Sequence, residues 1–461
     1  MVCRSGGSAK VADDAVSCTP HFRMGIDSRL NPDKPNAGSW HLLMRALRSR
    51  NYRLFFEGQI VSLIGTWMTR VATSWLVYRL TGSAFLLGLT GFAGQIPMFF
   101  LTPFAGVWVD RWDRHRTLVV TQILSMLQSF ALAVLALGNM ITVWEIILLV
   151  MLQGAINAFD MPARQSFVVQ MIERREDLGN AIALNSSMVN SARLIGPAIA
   201  GVVIAAVGEG YCFLIDAFSY MAVIASLLAM QVAPPRARGE YRRLTSELSE
   251  GWRYVKESTP IRSVLLFLAL VSLVGMPYTV LMPIFARTIL HGGAHVLGFL
   301  MAAAGLGALT GAVTLAMRPS VLGLGRVIVW SASLFGAGLI GLGLSRTLWL
   351  SLLAVAAAGF GMMRHMASTN TILQTIVAED KRGRVMAYYS MAFQGVAPFG
   401  SLGAGAIAAS AGAPWTIIGG GALCLGGAAW FASRLPHLRR MVRPIYVELG
   451  ILPSVPPSLE P

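Results

Sequence analysis

The densest group of ionisable side chains in this chain lies at residues 106–116, in the stretch GVWVDRWDRHR. The residues on either side are almost free of charge for two or more helical turns. A carboxylate such as that of Asp110 can accept hydrogen bonds from a helix N-terminus or an arginine, each contributing about 0.3–2 kcal/mol when partly buried. Gly106, one turn earlier, would let another helix approach closely. The stretch therefore predicts a latch that forms and breaks as two parts of the protein move.

A simpler explanation covers the basic members of this stretch. Arg111, Arg114 and Arg116 would anchor a loop at a membrane surface by charge alone. That explanation leaves Asp110 without a role, because acids add little to such anchoring. We therefore assign Asp110 to the latch and the arginines to anchoring and orienting it.

A second acid–base pair, Asp160 and Arg164, has the spacing that places both side chains on one helical face. Gln153 and Asn157 share this face. We predict a gating role for the pair beside Asp110. The alternative is a structural pair that contributes roughly a few tenths of a kcal/mol.

Arg193 lies near the middle of a long apolar segment that contains SARLIGPAIAG. An ionisable group at that depth costs at least about 2.5–3.5 kcal/mol unless it meets a partner or a wet cavity. We predict that Arg193 lines a substrate cavity, and the alternative is a structural ion pair. Pro197 removes a backbone hydrogen bond while Gly196 and Gly201 permit close packing, so the helix is expected to bend here.

Other polar side chains recur within apolar segments. Gln59, Ser62 and Thr66 share a helical face with Arg70. Glu145 or Asp216 is a candidate ion-pair partner of Arg70. The candidate cavity residues are Gln59, Thr66, Arg70, Gln153, Asn157, Asn185, Gln374 and Gln394. We expect no metal site, because no clustered set of ligand residues is present.

The composition indicates which elements must position these residues. Of 461 residues, 55% are hydrophobic and 13% charged, with a mean hydropathy of +0.61. Soluble domains carry roughly 25% charged residues, so an integral membrane protein is expected. Helices are the practical way for such segments to cross a bilayer. We predict an all-α protein with twelve transmembrane helices, at 54–78, 85–109, 117–137, 141–162, 181–206, 212–232, 263–286, 296–317, 326–345, 347–369, 385–409 and 414–433.

The placement of the bases argues against a nucleic-acid-binding protein despite the net charge of +15. Gaps on the side of the chain termini hold 26 lysines and arginines, whereas the opposite gaps hold three, Arg79, Arg287 and Arg346. This asymmetry predicts that both termini are cytoplasmic. Residues 1–44 lack the apolar core of a signal peptide and are expected to form a disordered extension.

The longest gap, 234–260, separates two predicted six-helix bundles, 45–233 and 261–434, and a cytoplasmic tail follows at 435–461. Leu244, Leu248, Trp252 and Val255 recur in the gap at helical spacing. They predict an amphipathic helix, either on the inner membrane surface or as a solvated linker.

The two halves also repeat in sequence. The pairs Gln170 and Gln374, Gly179 and Gly383, and Gly201 and Gly405 all differ by 204 positions. Parallel repeats place a substrate path at the interface of the halves.

Twelve spans in two halves, a central loop and GVWVDRWDRHR together resemble the major facilitator superfamily, whose signature loop is G-x-x-x-D-R-x-x-R-R/K. Gly106, Asp110, Arg111 and Arg114 match it, and His115 stands where a base is usual. The stretches RNYRLFFEGQIVSLIG, NAFDMPARQSFVVQMI and VSLVGMPYTVLMPIFA more narrowly resemble the branch that contains enterobactin and macrolide exporters. The corresponding place in the second half, near Gly311, lacks the acid.

This resemblance implies two pseudo-symmetric bundles that export a siderophore or a hydrophobic drug by alternating access, driven by proton antiport. Gly196, Pro197 and Gly201, with Arg193 beside them, resemble the antiporter motif of such exporters, although Ala192 stands where that pattern often has Gly. An uptake symporter of the same superfamily is the alternative.

Two other protein classes are disfavoured. A membrane-embedded enzyme would need a motif such as HExxH, which is absent from the sequence. An ATP-driven pump would need the Gly-Lys of a Walker loop, and the four lysines follow Ala, Asp, Val and Asp. We expect a monomer of the bacterial inner membrane with no ATP site and no cofactor, powered by an ion gradient. Its expected partners are the lipid bilayer and a small-molecule substrate.

Overall fold

The structure is a computed structural model that describes residues 44–231, 244–318 and 320–453. Within these ranges, the side chains at positions 103, 106, 107, 110, 111, 175 and 244–249 lie outside the description. The predicted extension up to residue 43, linker residues 234–243 and tail residues 454–461 also lie outside it.

Long helices make up nearly all of the described chain, and it contains no strand. The first half holds α1 (Arg50–Thr81), α2 (Ala84–Arg111), α3 (Arg114–Leu137), α4 (Val143–Met171), α5 (Leu178–Val207) and α6 (Glu209–Leu228). A linker helix follows at Leu244–Glu257. The second half holds α7 (Thr259–Ile289), α8 (Ala294–Ala316), α9 (Leu324–Leu344), α10 (Leu348–Ile376), α11 (from Arg382 to Ala411) and α12 (Ala413–Glu448).

Among the described residues, eleven of these helices are long and apolar enough to cross a membrane, which confirms an all-α membrane protein. The exception, α11, consists of Arg382–Ser390, a π-helical turn at Met391–Gly395, and Ala397–Ala411. Pro398 lacks a backbone N–H, so the α-helical ladder is interrupted just before it. An interrupted helix therefore occupies the segment that was predicted as a span at 385–409.

Single glycines make the tightest connections between spans. Gly208 joins α5 to α6 and Gly412 joins α11 to α12, with φ of 98° and 85°, a region that glycine adopts readily. These two glycines differ by 204 positions. The short 3-10 segments Arg175–Asp177 and Glu379–Lys381 differ by the same offset. The repeat in the sequence is thus also a repeat of structure.

The two six-helix bundles meet mainly through two helix pairs, α5 with α8 and α2 with α11. We call the membrane face that holds both ends of the described chain the terminal face, and the other the opposite face. Hydrogen bonds between described residues of the two halves lie at the opposite face. There the Tyr78 and Thr288 hydroxyls are 2.7 Å apart, and Arg287 donates to the Arg79 carbonyl at 3.4 Å.

The hydrophobic core is also distributed unevenly between the two faces. One cluster extends through both halves, whereas a second is confined to the terminal-face end of the first half and includes Tyr52, Phe55, Val109 and Phe167. The contacts therefore place the closed side of the protein at the opposite face.

The linker helix packs on the start of α11. Glu250 forms an ion pair with Arg384 at 2.7 Å, and the rings of Trp252 and Tyr388 have centroids 5.9 Å apart. Val255 is buried. One side of this helix therefore contacts protein, which neither predicted alternative included.

The last helix continues past the predicted end of its span at residue 433, to Glu448. Leu438 is buried in this extension, and Val442 packs against the same core as Ile372 of α10. Packing keeps helical a segment that was predicted to be a tail.

Candidate functional site

Two arginines contact one aromatic ring in the middle of the first half. The Trp67 ring centre lies 4.9 Å from Cζ of Arg70 and 5.2 Å from Cζ of Arg193. From the helical rise, Arg70 lies about 30 Å and Arg193 about 22 Å from the terminal-face end of its helix. Tyr278, from α7 of the other half, is close enough to Arg193 to interact with it electrostatically. The arginine pair therefore lies where the halves meet.

Neither guanidinium has an acidic partner among the described residues. Nε of Arg193 is buried without a hydrogen-bond partner, and the Arg70 side chain remains accessible to solvent. A cation–π contact contributes about 0.5–2 kcal/mol, while each arginine at this depth costs at least about 2.5–3.5 kcal/mol. The ring alone does not offset that cost, so the pair requires water or an anion.

The acids predicted as partners of Arg70 are used elsewhere, and that part of the prediction is wrong. Glu145 caps the start of its own helix, accepting from the Thr142 backbone N–H at 2.7 Å. Asp216 accepts hydrogen bonds of 2.8 Å from the hydroxyls of Thr69 and Ser129.

Asp216 is a functional candidate that the sequence analysis considered only as an arginine partner. It is 1% exposed and bonded by hydroxyl groups of α1, α3 and its own helix, with no cation bonded to it among the described residues. A Cβ at Gly65 would lie 2.7 Å from its Oδ1, so glycine makes room for the carboxylate. Tyr220, one turn further along α6, has its hydroxyl 3.3 Å from that of Thr66. The sequence did contain a signal for Asp216, because this acid lies inside the apolar segment predicted at 212–232.

Glycines of α5 allow this helix to contact both halves. A Cβ on Gly196 would lie 2.5 Å from Cβ of Trp67 on α1. A Cβ on Gly201 would lie 3.1 Å from Cα of Gly298 on α8, and Pro197 presents its carbonyl oxygen to the same glycine. The predicted close packing around this motif is present, and a bend at Pro197 stays a prediction.

The repeat places a matching pair of glycines on α11. Gly400 faces Pro277 of α7, and a Cβ on Gly405 would lie 2.7 Å from Cα of Gly88 on α2. These positions follow Gly196 and Gly201 by 204 residues. The same two glycine contacts therefore occur twice, related by the pseudo-symmetry of the halves.

The remaining cavity candidates are dispersed. Gln59 is 2% exposed inside the first half, and Thr66 donates to the Ser62 carbonyl at 3.0 Å. Asn185 is half-buried, whereas Gln374 and Gln394 are exposed. Their contact with a substrate stays a prediction.

Asp160 lies at the centre of a polar seam between α3 and α4. Its Oδ1 accepts from Thr121 at 2.9 Å and from Gln122 at 2.7 Å, and its other oxygen pairs with Arg164. One turn and two turns away, Asn157 and Gln153 continue the seam, with Gln153 donating to Ser125 at 3.1 Å. The pair thus ties two helices together, and its gating role stays a prediction.

In the 106–116 loop, the described acid at a helix N-terminus is Asp113. It caps α3 by accepting from the backbone N–H groups of His115 and Arg116 at 2.9 and 3.2 Å. His115 in turn contacts the Leu227 carbonyl of α6 at 2.7 Å, Arg114 is buried, and Arg116 is exposed. The side chains of Gly106, Asp110 and Arg111 lie outside the description, so the Asp110 latch stays a prediction.

A comparison with protein families decides the class of this protein. The family described as transmembrane secretion effector matches residues 43–444. The chain belongs to this family. It is a family of the major facilitator superfamily, which agrees with the resemblance seen in the sequence and with a transporter rather than an enzyme.

Related proteins support the family assignment. The staphyloferrin A transporter of Staphylococcus aureus is 25% identical over 354 residues, covering 76% of this chain and 87% of that protein. The multidrug efflux pump Tap of Mycolicibacterium fortuitum is 27% identical over 397 residues, covering 82% and 95%. A solved structure, a bacterial homologue of the iron transporter ferroportin in an inward-facing state, is 14% identical with a TM-score of 0.62. It covers 84% of this chain and 99% of that chain, and shows the shared fold.

Proposed function

We propose that this secretion effector exports an anionic small molecule by alternating access, in exchange for protons, as a monomer with both termini in the cytoplasm. The observation that carries the proposal is the arginine pair Arg70 and Arg193, unneutralised by any described acid and placed where the halves meet. An anionic substrate supplies the missing counter-charge.

The site favours an anion with a flat or apolar part. Guanidinium groups bind carboxylate-like oxygens through charge-assisted hydrogen bonds, and the aromatic side chains of Trp67 and Tyr278 beside them suit an apolar part of the substrate. The two relatives are named for staphyloferrin A transport and for multidrug efflux. We therefore infer a siderophore or an acidic, partly hydrophobic drug as the substrate.

Asp216 is our candidate for the proton carrier. A buried carboxylate without a cation carries a desolvation penalty of about several kcal/mol, which a bound proton removes. Its donor Thr69 is the chain neighbour of Arg70. The charge of Asp216 therefore changes the electrostatic potential close to Arg70, which would couple the proton to the arginine pair.

The energy source follows from the sequence. A Walker loop is absent, and one charge moving through 100 mV is worth about 2.3 kcal/mol, enough for a roughly 50-fold gradient. The excess of bases on the terminal face supports its assignment to the cytoplasm. An uptake symporter, the alternative, would use the same cavity in the other direction.

The test is transport into inside-out membrane vesicles from cells that express the protein, with a panel of siderophores and drugs. With an acidic lumen, an exporter accumulates its substrate, and an uncoupler abolishes the accumulation. Arg70→Ala with Arg193→Ala should abolish it too, while Arg53→Ala, an exposed arginine at the start of α1, should not. Accumulation only in right-side-out vesicles would instead indicate the symporter, and uncoupler-resistant export would indicate another energy source.

A further inference from the structure

A crevice of about 710 Å³ opens on the second half between the α8–α9 connection, α9 and α10. The residues that matter to its chemistry are three arginines and three apolar side chains, Arg318, Arg326, Arg364, Trp330, Leu334 and Phe360. Basic groups therefore line one part of the crevice and apolar groups another.

The basic part has no acid to neutralise it among the described residues. Arg318 donates to the carbonyls of Ser320 and Leu322, which holds the connection in place but leaves the charge. Arg326 is exposed, and its side chain makes no hydrogen bond or ion pair with the described residues. Nε of Arg364 is buried without a partner, and its Cζ lies 5.3 Å from the Phe360 ring centre. The crevice thus carries positive charge that no described acid balances.

The internal repeat explains why the acids are missing. The offset of 204 aligns Arg364 of α10 with Asp160 of α4. In the first half, Asp160 neutralises Arg164 and bonds to α3. The second half has an arginine at that position and lacks the loop acid near Gly311. An anion that balances these arginines would therefore come from outside the chain, whereas the first half supplies its own.

The apolar part indicates where that anion comes from. Trp330 is 76% exposed and Leu334 38% exposed, one and two turns along α9 from Arg326. Large apolar groups this exposed on a transmembrane helix face hydrocarbon chains, and long arginine side chains extend toward the headgroups. A neighbouring cavity of about 370 Å³ shares Arg326 and adds Arg439 and Arg443, which strengthens the positive potential.

We propose that this crevice binds an anionic phospholipid from the leaflet at the terminal face. Its phosphate would lie between Arg326 and Arg364, and an acyl chain would follow Trp330 and Leu334. A free phosphate ion would use the arginines alone and gain nothing from the apolar wall.

The test compares the purified protein in nanodiscs of phosphatidylcholine with and without phosphatidylglycerol, using native mass spectrometry to count bound lipids after release. Wild type should retain phosphatidylglycerol in preference to phosphatidylcholine. Arg326→Ala with Arg364→Ala should weaken that retention by about 10- to 30-fold, since each base near the surface contributes to anionic lipid binding. Arg326→Ala alone removes an exposed side chain that makes no hydrogen bond to the described residues. It should cause part of the loss in phosphatidylglycerol retention. The matched control is Arg440→Ala, an exposed arginine of α12 outside the crevice.

Three results would overturn the proposal. One is equal retention of the two lipids by wild type. Another is a loss in Arg440→Ala as large as in the double variant. The third is that inorganic phosphate at millimolar concentration displaces the lipid completely, which would assign the site to a free anion.

Discussion

Gly201 on α5 and Gly298 on α8 lie so close that a Cβ on Gly201 would be 3.1 Å from the partner's Cα. The contact belongs to one of the two helix pairs that join the halves, and Gly405 with Gly88 makes the equivalent contact in the other. Because both contacts lie toward the opposite face, they are where that face must separate when the protein changes state.

Replacing Gly201 with Val should open the opposite face. The isopropyl group of valine there would overpack the contact by about 1–3 kcal/mol, which shifts a two-state equilibrium by about 5- to 150-fold. The measurement is labelling of a cysteine placed at Thr288, in a background without native cysteines. Gly403→Val is the control, because nothing lies within 4 Å of a Cβ there. Equal labelling of both variants would show that the glycine contact does not limit closure.

Substitutions of Arg193 should separate its charge from its shape. Arg193→Lys keeps the charge but loses the planar fork, so substrate affinity should fall, and Arg193→Ala should lower it further. Loss of hydrogen bonds to a charged group costs about 1.5–3 kcal/mol, equivalent to about 10- to 150-fold in Kd. Binding is measured on purified, folded protein by calorimetry. Unchanged affinity in a folded Arg193→Ala protein would contradict a role in the cavity.

Asp216→Asn should uncouple transport from protons. The amide keeps the size of the side chain and can still accept from Thr69 or Ser129, but it cannot release a proton. Exchange of labelled for unlabelled substrate should persist, while accumulation driven by a proton gradient should be lost. Glu145→Gln, which alters a helix cap far from the site, should retain both activities. Proton-driven accumulation by the Asn variant would assign the proton to another group.

The two acids of the 106–116 loop should behave differently. Asp110→Asn should weaken the latch by about 1–2 kcal/mol and shift the equilibrium about 5- to 30-fold away from the form closed at the terminal face. Asp113→Ala removes a helix cap and should cost about 0.5–2 kcal/mol of stability, with export per folded molecule retained. Arg116→Ala should have a smaller effect than Asp110→Asn, because that side chain is exposed.

The measurement for these three variants is export together with cysteine accessibility at the terminal face, at matched expression. Normal export and unchanged accessibility in Asp110→Asn would leave the loop with an anchoring role only.

Topology reporters should distinguish the two faces. Fusions after residues 208 and 240 lie on opposite sides of α6, so an alkaline phosphatase reporter should be active only at the first site and a cytoplasmic fluorescent reporter only at the second. Matching signals at both sites would contradict the twelve-helix topology.

The sequence by itself determined the membrane class, the helical spans that apolar segments of transmembrane length form in both halves, the repeat and the superfamily. These properties depend on the length of apolar segments and on the order of residues along the chain, and both are read directly. It also located Arg193 and the glycines of α5, since a base in mid-membrane and a Gly-Pro pair in a helix are visible without any partner.

Only the tertiary structure decided which groups meet. Trp67 joins Arg70 to Arg193, Asp216 bonds to hydroxyls instead of to Arg70, and Asp113 is the described cap of α3. Helical periodicity fixes the face on which a side chain lies, but the rotation and approach of each helix fix what that face contacts. The glycines allow those approaches, so the chemistry of the site follows from packing between segments far apart in the chain.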